Sequence, residues 1–128
     1  MLKIGTVQKW MCTMRYNRGE VVLVLFPNSS LRTAKRRPTL VIQANSIATN
    51  LSQTTVAMIT SNMARAGHRS RVLVDITTSE GQQTGLITNS VIVTDNIVTV
   101  LDSEIDRAIG IWSDMVSVDA ALRHTLGL

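Results

Sequence analysis

The sequence predicts a small, mainly β domain: an antiparallel barrel or curled sheet of five to six short strands, followed by one C-terminal helix. Short apolar runs recur along the chain and are separated by polar, turn-forming stretches, which is typical of strands. Helical spacing of apolar residues is clear only near the C-terminus. With 128 residues, 45% hydrophobic and 17% charged, the chain can bury one core and is too short for two ordinary domains.

Two strands are expected in the first third of the chain. Residues 21–26 form a continuous apolar run that ends at Pro27, which indicates a strand buried on both faces. The next strand is predicted at residues 39–43. Pro38 would occupy its first position, where a missing N–H is tolerated, and would hold Arg37 extended. Between the two strands we expect a basic loop, which carries Arg32, Lys35, Arg36 and Arg37.

Further strands follow the same patterns. Residues 55–60 are mostly apolar, and residues 71–76 alternate apolar and polar side chains, so that one face of the latter strand should contact water. Residues 90–94 and 98–101 look like two short strands that flank the polar break at Asp95 and Asn96. Residues 102–110 fit either a helical turn or, continuing to 112, a last strand.

The two ends of the chain differ in kind. Apolar residues at spacings of three and four predict a helix that Ser113 can cap and Gly127 can end. Residues 1–17 have no clear period. We expect them to be an N-terminal extension, either non-native or disordered, with Met14 as an alternative start and residues 18–128 as the domain.

Charge is distributed very unevenly along the sequence. Residues 1–74 contain eleven Lys and Arg against Glu20 alone, and residues 75–128 contain two Arg against eight acids, which gives +10 and −6. A basic half with a clustered basic segment is the electrostatic footprint expected for a nucleic-acid phosphate backbone. The alternative is a solvated loop that only aids solubility.

Other classes of function are disfavoured. Cys12 is the only cysteine, so an intramolecular disulfide is impossible, and no secretory signal is recognisable, which favours a reducing cytoplasm. No apolar run approaches the roughly 20 residues of a membrane span. His68, His124 and Cys12 lack a familiar metal-ligand spacing, so neither a metal nor another cofactor is predicted.

Several segments have a characteristic order and spacing. They are Arg18-Gly19-Glu20 before an apolar strand, Arg37-Pro38 before the second strand, Ile59-Thr60-Ser61 at a strand end, and Gly85-Leu86 with the block at residues 90–100. Together they resemble the PemK/MazF family of toxin ribonucleases. The resemblance runs from residue 18 to residue 128. It implies an SH3-like barrel, a homodimer, and metal-independent cleavage of single-stranded RNA to a 2′,3′-cyclic phosphate, blocked by a cognate antitoxin protein.

The resemblance also assigns roles to residues. It places the family's catalytic arginine on Arg37, its strand-end threonine on Thr60 and a late-block aspartate on Asp95. A guanidinium can bind two phosphate oxygens at once, which suits Arg37 to stabilising charge on the phosphorane. The remaining residues assigned to RNA binding are Arg32, Lys35, Arg36, Ser61 and Asn62.

Each assignment has a simpler alternative. Thr60, Ser61 and Asn62 end a strand, where such side chains usually satisfy turn backbone groups, and Asp95 could simply form a turn. Many relatives have arginines where this chain has Val93 and Val98, and their first loop differs from Leu31-Arg32-Thr33. The alternative function is therefore a catalytically degenerate barrel that binds nucleic acid or a protein partner without cleavage.

Base selection is not expected to come from stacking. The chain contains only two Trp, one Tyr and one Phe, whereas modules that stack single-stranded bases expose several aromatic rings. Hydrogen bonds and shape in the loops around residues 28–36 and 61–71 are predicted to select bases instead.

Overall fold

A computed structural model describes residues 16–27, 34–45 and 51–128 of the chain. Its strands are β1 (Glu20–Pro27), β2 (Ala34–Val41), β3 (Gln53–Thr60), β4 (Arg71–Val74), β5 (Ser90–Leu101) and β6 (Ile105–Ile111). The α-helices are α1 (Ser79–Gln83) and α2 (Met115–Leu126), and short 3₁₀ turns span Met63–Arg65 and Asp102–Glu104. No helix within these ranges is long and apolar enough to cross a membrane.

The strands form one antiparallel sheet in the order β4, β5, β3, β2, β1, β6. This confirms the mainly β class with a C-terminal helix. Of the two predicted forms, barrel and curled sheet, the structure has the open sheet, because the edge strands β4 and β6 are not paired with each other in the described part of the chain. Helix α2 packs against β4 and β5 at one end of the open sheet.

Alternating side chains of the central strands build two apolar clusters. Val21, Leu40 and Ile59 lie in a cluster that includes Trp112 and, from α2, Val118. The second cluster takes the neighbouring residues of the same strands, Val22, Val41 and Val56 among them, together with Val100 and Ile105. Because a strand points successive side chains to opposite faces, β1 contributes to both clusters, which confirms that it is buried on both faces.

The Arg18-Gly19-Glu20 segment has a structural role. Arg18 donates to the carbonyl oxygen of Ile42 and forms an ion pair with Asp119 of α2, with 2.7 Å between Nη2 and Oδ1. The N–H of Gly19 donates to the carbonyl oxygen of Val41, and the carbonyl oxygen of Gly19 accepts from the N–H of Trp112. The segment therefore ties the start of β1 to β2, to the end of β6 and to α2, and it lies outside the site described below.

Several element boundaries differ from the sequence prediction. Strand β2 begins at Ala34, so Lys35, Arg36 and Arg37 lie on a strand and not on a loop. Their side chains are polar, but pairing with β1 sets the backbone: Phe26 pairs with Lys35 and Val24 with Arg37. Pro38 is tolerated within β2 because the ladder with β3 starts only at Thr39.

The later part of the chain brings further corrections. The two short strands predicted around Asp95 are one strand, β5, because β3 pairs with both parts. Asp114, and not Ser113, caps α2, since its carboxylate accepts from the N–H of Ser117. Gly127 ends α2 in a left-handed conformation, as predicted. Residues 102–110 contain both open alternatives, a 3₁₀ turn followed by β6.

Candidate functional site

A cavity of about 260 Å³ opens where β2 and β3 stop pairing. Thr39 pairs with Met58, and extending that register by two residues places Arg37 opposite Thr60. Both residues line the cavity. Its lining comprises Lys35, Arg36, Arg37, Pro38, Ile59, Thr60, Ser61, Leu86, Ile87, Thr88 and Ser90. It contains three cations, several hydroxyl groups and no acid among the residues that the structure describes, which makes it a site for an anion.

The three cations of the cavity are not equivalent. Arg36 Nε donates to Asp106 Oδ2 at 2.9 Å, so the Asp106 carboxylate of β6 balances much of the Arg36 charge. Arg37 and Lys35 are exposed and have no hydrogen-bond or ion-pair partner among the described residues. An unpaired guanidinium presents its planar fork of donors to whatever enters the cavity. Arg37 is therefore the donor best placed to bind an anion.

Thr60 and Ser61 offer hydroxyl donors beside Arg37. The Thr60 oxygen accepts from the backbone N–H of Asn62 at 3.1 Å, which leaves its proton free to donate into the cavity. Asn62 caps the following 3₁₀ turn, because its side-chain oxygen accepts from the N–H of Ala64. The turn-forming role expected for such residues is thus present in both Thr60 and Asn62, and Asn62 does not line the cavity.

The second wall of the cavity was not predicted. It comes from the segment between α1 and β5, through Leu86, Ile87, Thr88 and Ser90. Gly85 begins this segment with a φ of +76°, and a Cβ there would lie 2.2 Å from the carbonyl oxygen of Ile109. In the sequence, the Gly85-Leu86 pair stands out only as part of a family resemblance. The local pattern carries no sign that this segment faces β2.

Asp95 lies away from the cavity. In β5 the register with β3 shifts, since Ala57 pairs with Ile97 and Met58 with Val93, which leaves residues 94–96 without a partner in β3. Asp95 in this bulge receives two hydrogen bonds from Arg71, at 2.8 and 3.3 Å. Asp95 follows Ser90, which lines the cavity, by five residues along β5, and Asp95 is not among the lining residues. The structure brings Arg37 and Thr60 together and places Asp95 elsewhere.

The ion pair with Arg71 defines the acid–base behaviour of Asp95. Its hydrogen bonds from Arg71 hold the pKa of the Asp95 carboxyl below its ordinary value. The pair also fixes the start of β4 to the bulge. Thr94, in the same bulge, donates to the carbonyl oxygen of Ser70 and lies 2.9 Å from the Thr125 hydroxyl of α2.

We expect Asp95→Asn to lower stability at neutral pH by at most about 1 kcal/mol, because the pair is partly exposed and screened by water. The folded-state pKa is lowered, so the carboxylate stabilises the fold above the ordinary Asp pKa and ceases to do so as the pH falls through the folded value. The deficit of the variant should therefore shrink as the pH falls below the ordinary Asp pKa and vanish once the pH is below the folded-state value. Urea midpoints for both proteins at several pH values measure this. Glu80→Gln removes an exposed charge that has no ion pair among the described residues and accepts only a 3.5 Å hydrogen bond from Ser79, so it should show little deficit.

Arg32, predicted to bind RNA, lies outside the described residues. Within the described ranges, no group of three or more His, Cys, Asp and Glu residues is arranged to hold a metal ion.

Solved structures share this fold. An endoribonuclease in complex with its cognate antitoxin from a mycobacterial species aligns with a TM-score of 0.67 and 22% identity over 88% of this chain and 96% of that one. The Mycobacterium tuberculosis toxin MazF-mt6 aligns with a TM-score of 0.66 and 24% identity over 85% and 97%. A MazE–MazF structure from Deinococcus radiodurans aligns with a TM-score of 0.67 and 17% identity over 88% and 97%.

At these identities the structural similarity establishes a common fold, and the sequence supplies the family. No curated protein matches the chain significantly. The sequence profile of one family, however, matches residues 17–126, which is most of the chain and includes every described residue that lines the cavity. The chain belongs to the family of PemK-like, MazF-like toxins of type II toxin–antitoxin systems.

Proposed function

We propose that this chain is an endoribonuclease toxin that cleaves single-stranded RNA at the cavity between β2 and β3. The observation that supports this most strongly is that the Arg37 guanidinium, which has no partner among the described residues, and the Thr60 hydroxyl line one cation-rich cavity. The family to which the chain belongs supplies the toxin context.

In the proposed reaction, the 2′-oxygen of a ribose attacks the adjacent phosphorus and the bond from phosphorus to the 5′-oxygen breaks. The products are a 2′,3′-cyclic phosphate and a 5′-hydroxyl, and the proton lost by the 2′-hydroxyl is balanced by one gained at the leaving 5′-oxygen. Arg37 stabilises the negative charge that develops on the phosphoryl oxygens, since preorganised donors act most strongly on that charge. Thr60 and Ser61 donate further hydrogen bonds, and Lys35 attracts the RNA backbone.

In the proposed reaction, water takes the proton of the 2′-hydroxyl and supplies the proton gained by the leaving 5′-oxygen. The described lining residues include no carboxylate and no imidazole that could take the 2′-hydroxyl proton. Asp95, the residue that the resemblance suggested, is paired with Arg71, and a lowered pKa makes a carboxylate a weaker base. We therefore propose roles for Arg37 and Thr60 in catalysis and none for Asp95.

The proposed protein partner is an antitoxin that blocks the cavity. Structures with the same fold are described as an endoribonuclease with its cognate antitoxin and as a MazE–MazF complex. A basic cavity without a described acid would favour an acidic segment of such a partner, by charge complementarity. Homodimerisation, implied by the family resemblance, stays a prediction that sedimentation of the purified chain would test.

The test is cleavage of an end-labelled single-stranded RNA by the purified protein in EDTA, with the ends of the products analysed. Products with 2′,3′-cyclic phosphate ends, absent with Arg37→Ala, support the proposal and its metal independence. Cleavage only after a divalent cation is added would overturn the metal-independent part. RNA binding without any cleavage would support the alternative of a degenerate binding protein, which the lack of a described base in the cavity favours.

Thr60→Val should lower kcat roughly 10- to 100-fold, because valine keeps the shape but removes a donor to a charged oxygen. Single-turnover cleavage at saturating protein measures this directly. Thr60→Ser retains the hydroxyl and serves as the control, with an expected rate within about threefold of the original protein. Full activity of Thr60→Val would show that the hydroxyl only supports the turn at Asn62.

A further inference from the structure

Ile87 lies on the wall of the cavity that faces the cations, and it is the most exposed large hydrophobic residue in the described part of the chain. Its side chain is 94% exposed. A single exposed apolar residue is ordinary on a protein surface. The location of Ile87 is what distinguishes it, because it lines the same cavity as Arg37 and Thr60.

The segment that presents Ile87 is held on both sides. Before it, Leu86 packs against the core cluster and its N–H donates to the Thr84 hydroxyl at 3.2 Å. After it, the Ser90 hydroxyl donates to the carbonyl oxygen of Thr88 at 3.0 Å, and the Asn89 side chain accepts from the N–H of Ile76 at 2.9 Å. A β-branched side chain on a fixed backbone loses little conformational freedom when a ligand binds.

The two walls of the cavity differ in chemistry, so one favours an anionic ligand group and the other an apolar one. Lys35 and Arg37 attract an anion, whereas Ile87 and Leu86 offer apolar contact. A nucleotide carries a phosphate and the apolar face of a base within one residue, so it satisfies both walls at once. A bare polyanion satisfies only the cationic wall. The described aromatic residues Tyr16, Phe26 and Trp112 do not line the cavity, so they cannot supply the base contact there.

We propose that Ile87 binds the face of a nucleobase next to the scissile phosphate and thereby helps to select the RNA sequence. This rests on the proposed function and deepens it, because it moves part of base selection to the segment between α1 and β5, outside the loops that the sequence suggested. Removing three carbon atoms from a contact of this kind should weaken RNA binding about tenfold.

The experiment measures binding of the full chain to a fluorescent single-stranded 2′-O-methyl RNA, which cannot be cleaved by 2′-hydroxyl attack. The second probe is an oligomer of equal length in which every base is replaced by a tetrahydrofuran spacer. Ile87→Ala should bind the RNA about tenfold more weakly than the original protein and bind the baseless oligomer equally well. Val116→Ala, which truncates another exposed apolar side chain on α2 outside the cavity, should change neither affinity.

Each other outcome would overturn the assignment. Equal weakening on both probes would mean that Ile87 affects phosphate binding or the fold. Unchanged RNA affinity of Ile87→Ala would show that no base contacts this residue, with the proposed nuclease function left intact. Failure of the original protein to bind the RNA would overturn the proposed function together with this inference.

Discussion

Replacing Arg37 with alanine is expected to lower kcat for RNA cleavage by roughly 10² to 10³, the cost typical of losing one preorganised donor to a developing oxyanion. The guanidinium lies in the cavity, has no partner among the described residues, and presents a planar fork of donors. Arg37 should therefore stabilise the negative charge of the transition state more strongly than that of the bound substrate. Single-turnover rates at saturating protein separate this effect on kcat from weaker binding.

Two variants serve as controls for Arg37→Ala. Arg36→Ala removes an equal charge one residue away. Because Arg36 is already paired with Asp106, this substitution should mainly change KM and the salt dependence of RNA binding. Arg37→Lys keeps the charge and loses the planar fork, and should recover only part of the rate. Because Arg37 is exposed, the melting temperature of Arg37→Ala should stay unchanged. Cleavage by Arg37→Ala at the original rate would contradict the proposed mechanism.

Gly110→Ala is expected to cause a large loss of stability, about 3 kcal/mol, with a fall in melting temperature of roughly 10 °C. A Cβ on Gly110 would lie 2.2 Å from the carbonyl oxygen of Gln83 and 2.4 Å from the carbonyl carbon of Thr84. Both are backbone atoms that a side-chain rotation cannot move. The methyl group therefore has to push the α1 segment away from β6, and thermal unfolding measures the cost.

The matched control is Gly67→Ala. Gly67 has a φ of +84°, and a Cβ added there would meet no described atom within 4 Å, so alanine should cost only about 1 kcal/mol of backbone strain. The Gly110 variant should also raise KM for RNA, because Thr84 leads into the cavity wall formed by Leu86 and Ile87. A Gly110→Ala protein as stable as Gly67→Ala would contradict the close packing of α1 on β6.

The local pattern of apolar and polar residues correctly predicted the elements that are buried in the same way along their whole length. The apolar run of β1 indicated burial on both faces, and the spacing of Met115, Val118 and Leu122 with Gly127 indicated α2. The same pattern failed for β2, where Lys35 to Arg37 look like a loop. A strand whose side chains are exposed takes its backbone from its hydrogen-bonded neighbour, in this case β1, and the sequence of β2 carries little record of that neighbour.

The candidate site divides in the same way. The sequence by itself determined that basic residues cluster at positions 32–37, and its resemblance to a family singled out Arg37 and Thr60. Only the tertiary structure placed Asp95 with Arg71 and made the segment from Leu86 to Ser90 the second wall of the cavity. The reason is physical: a register shift of three residues in β5 and the packing of α1 on Gly110 depend on contacts between distant parts of the chain, and no local period records them.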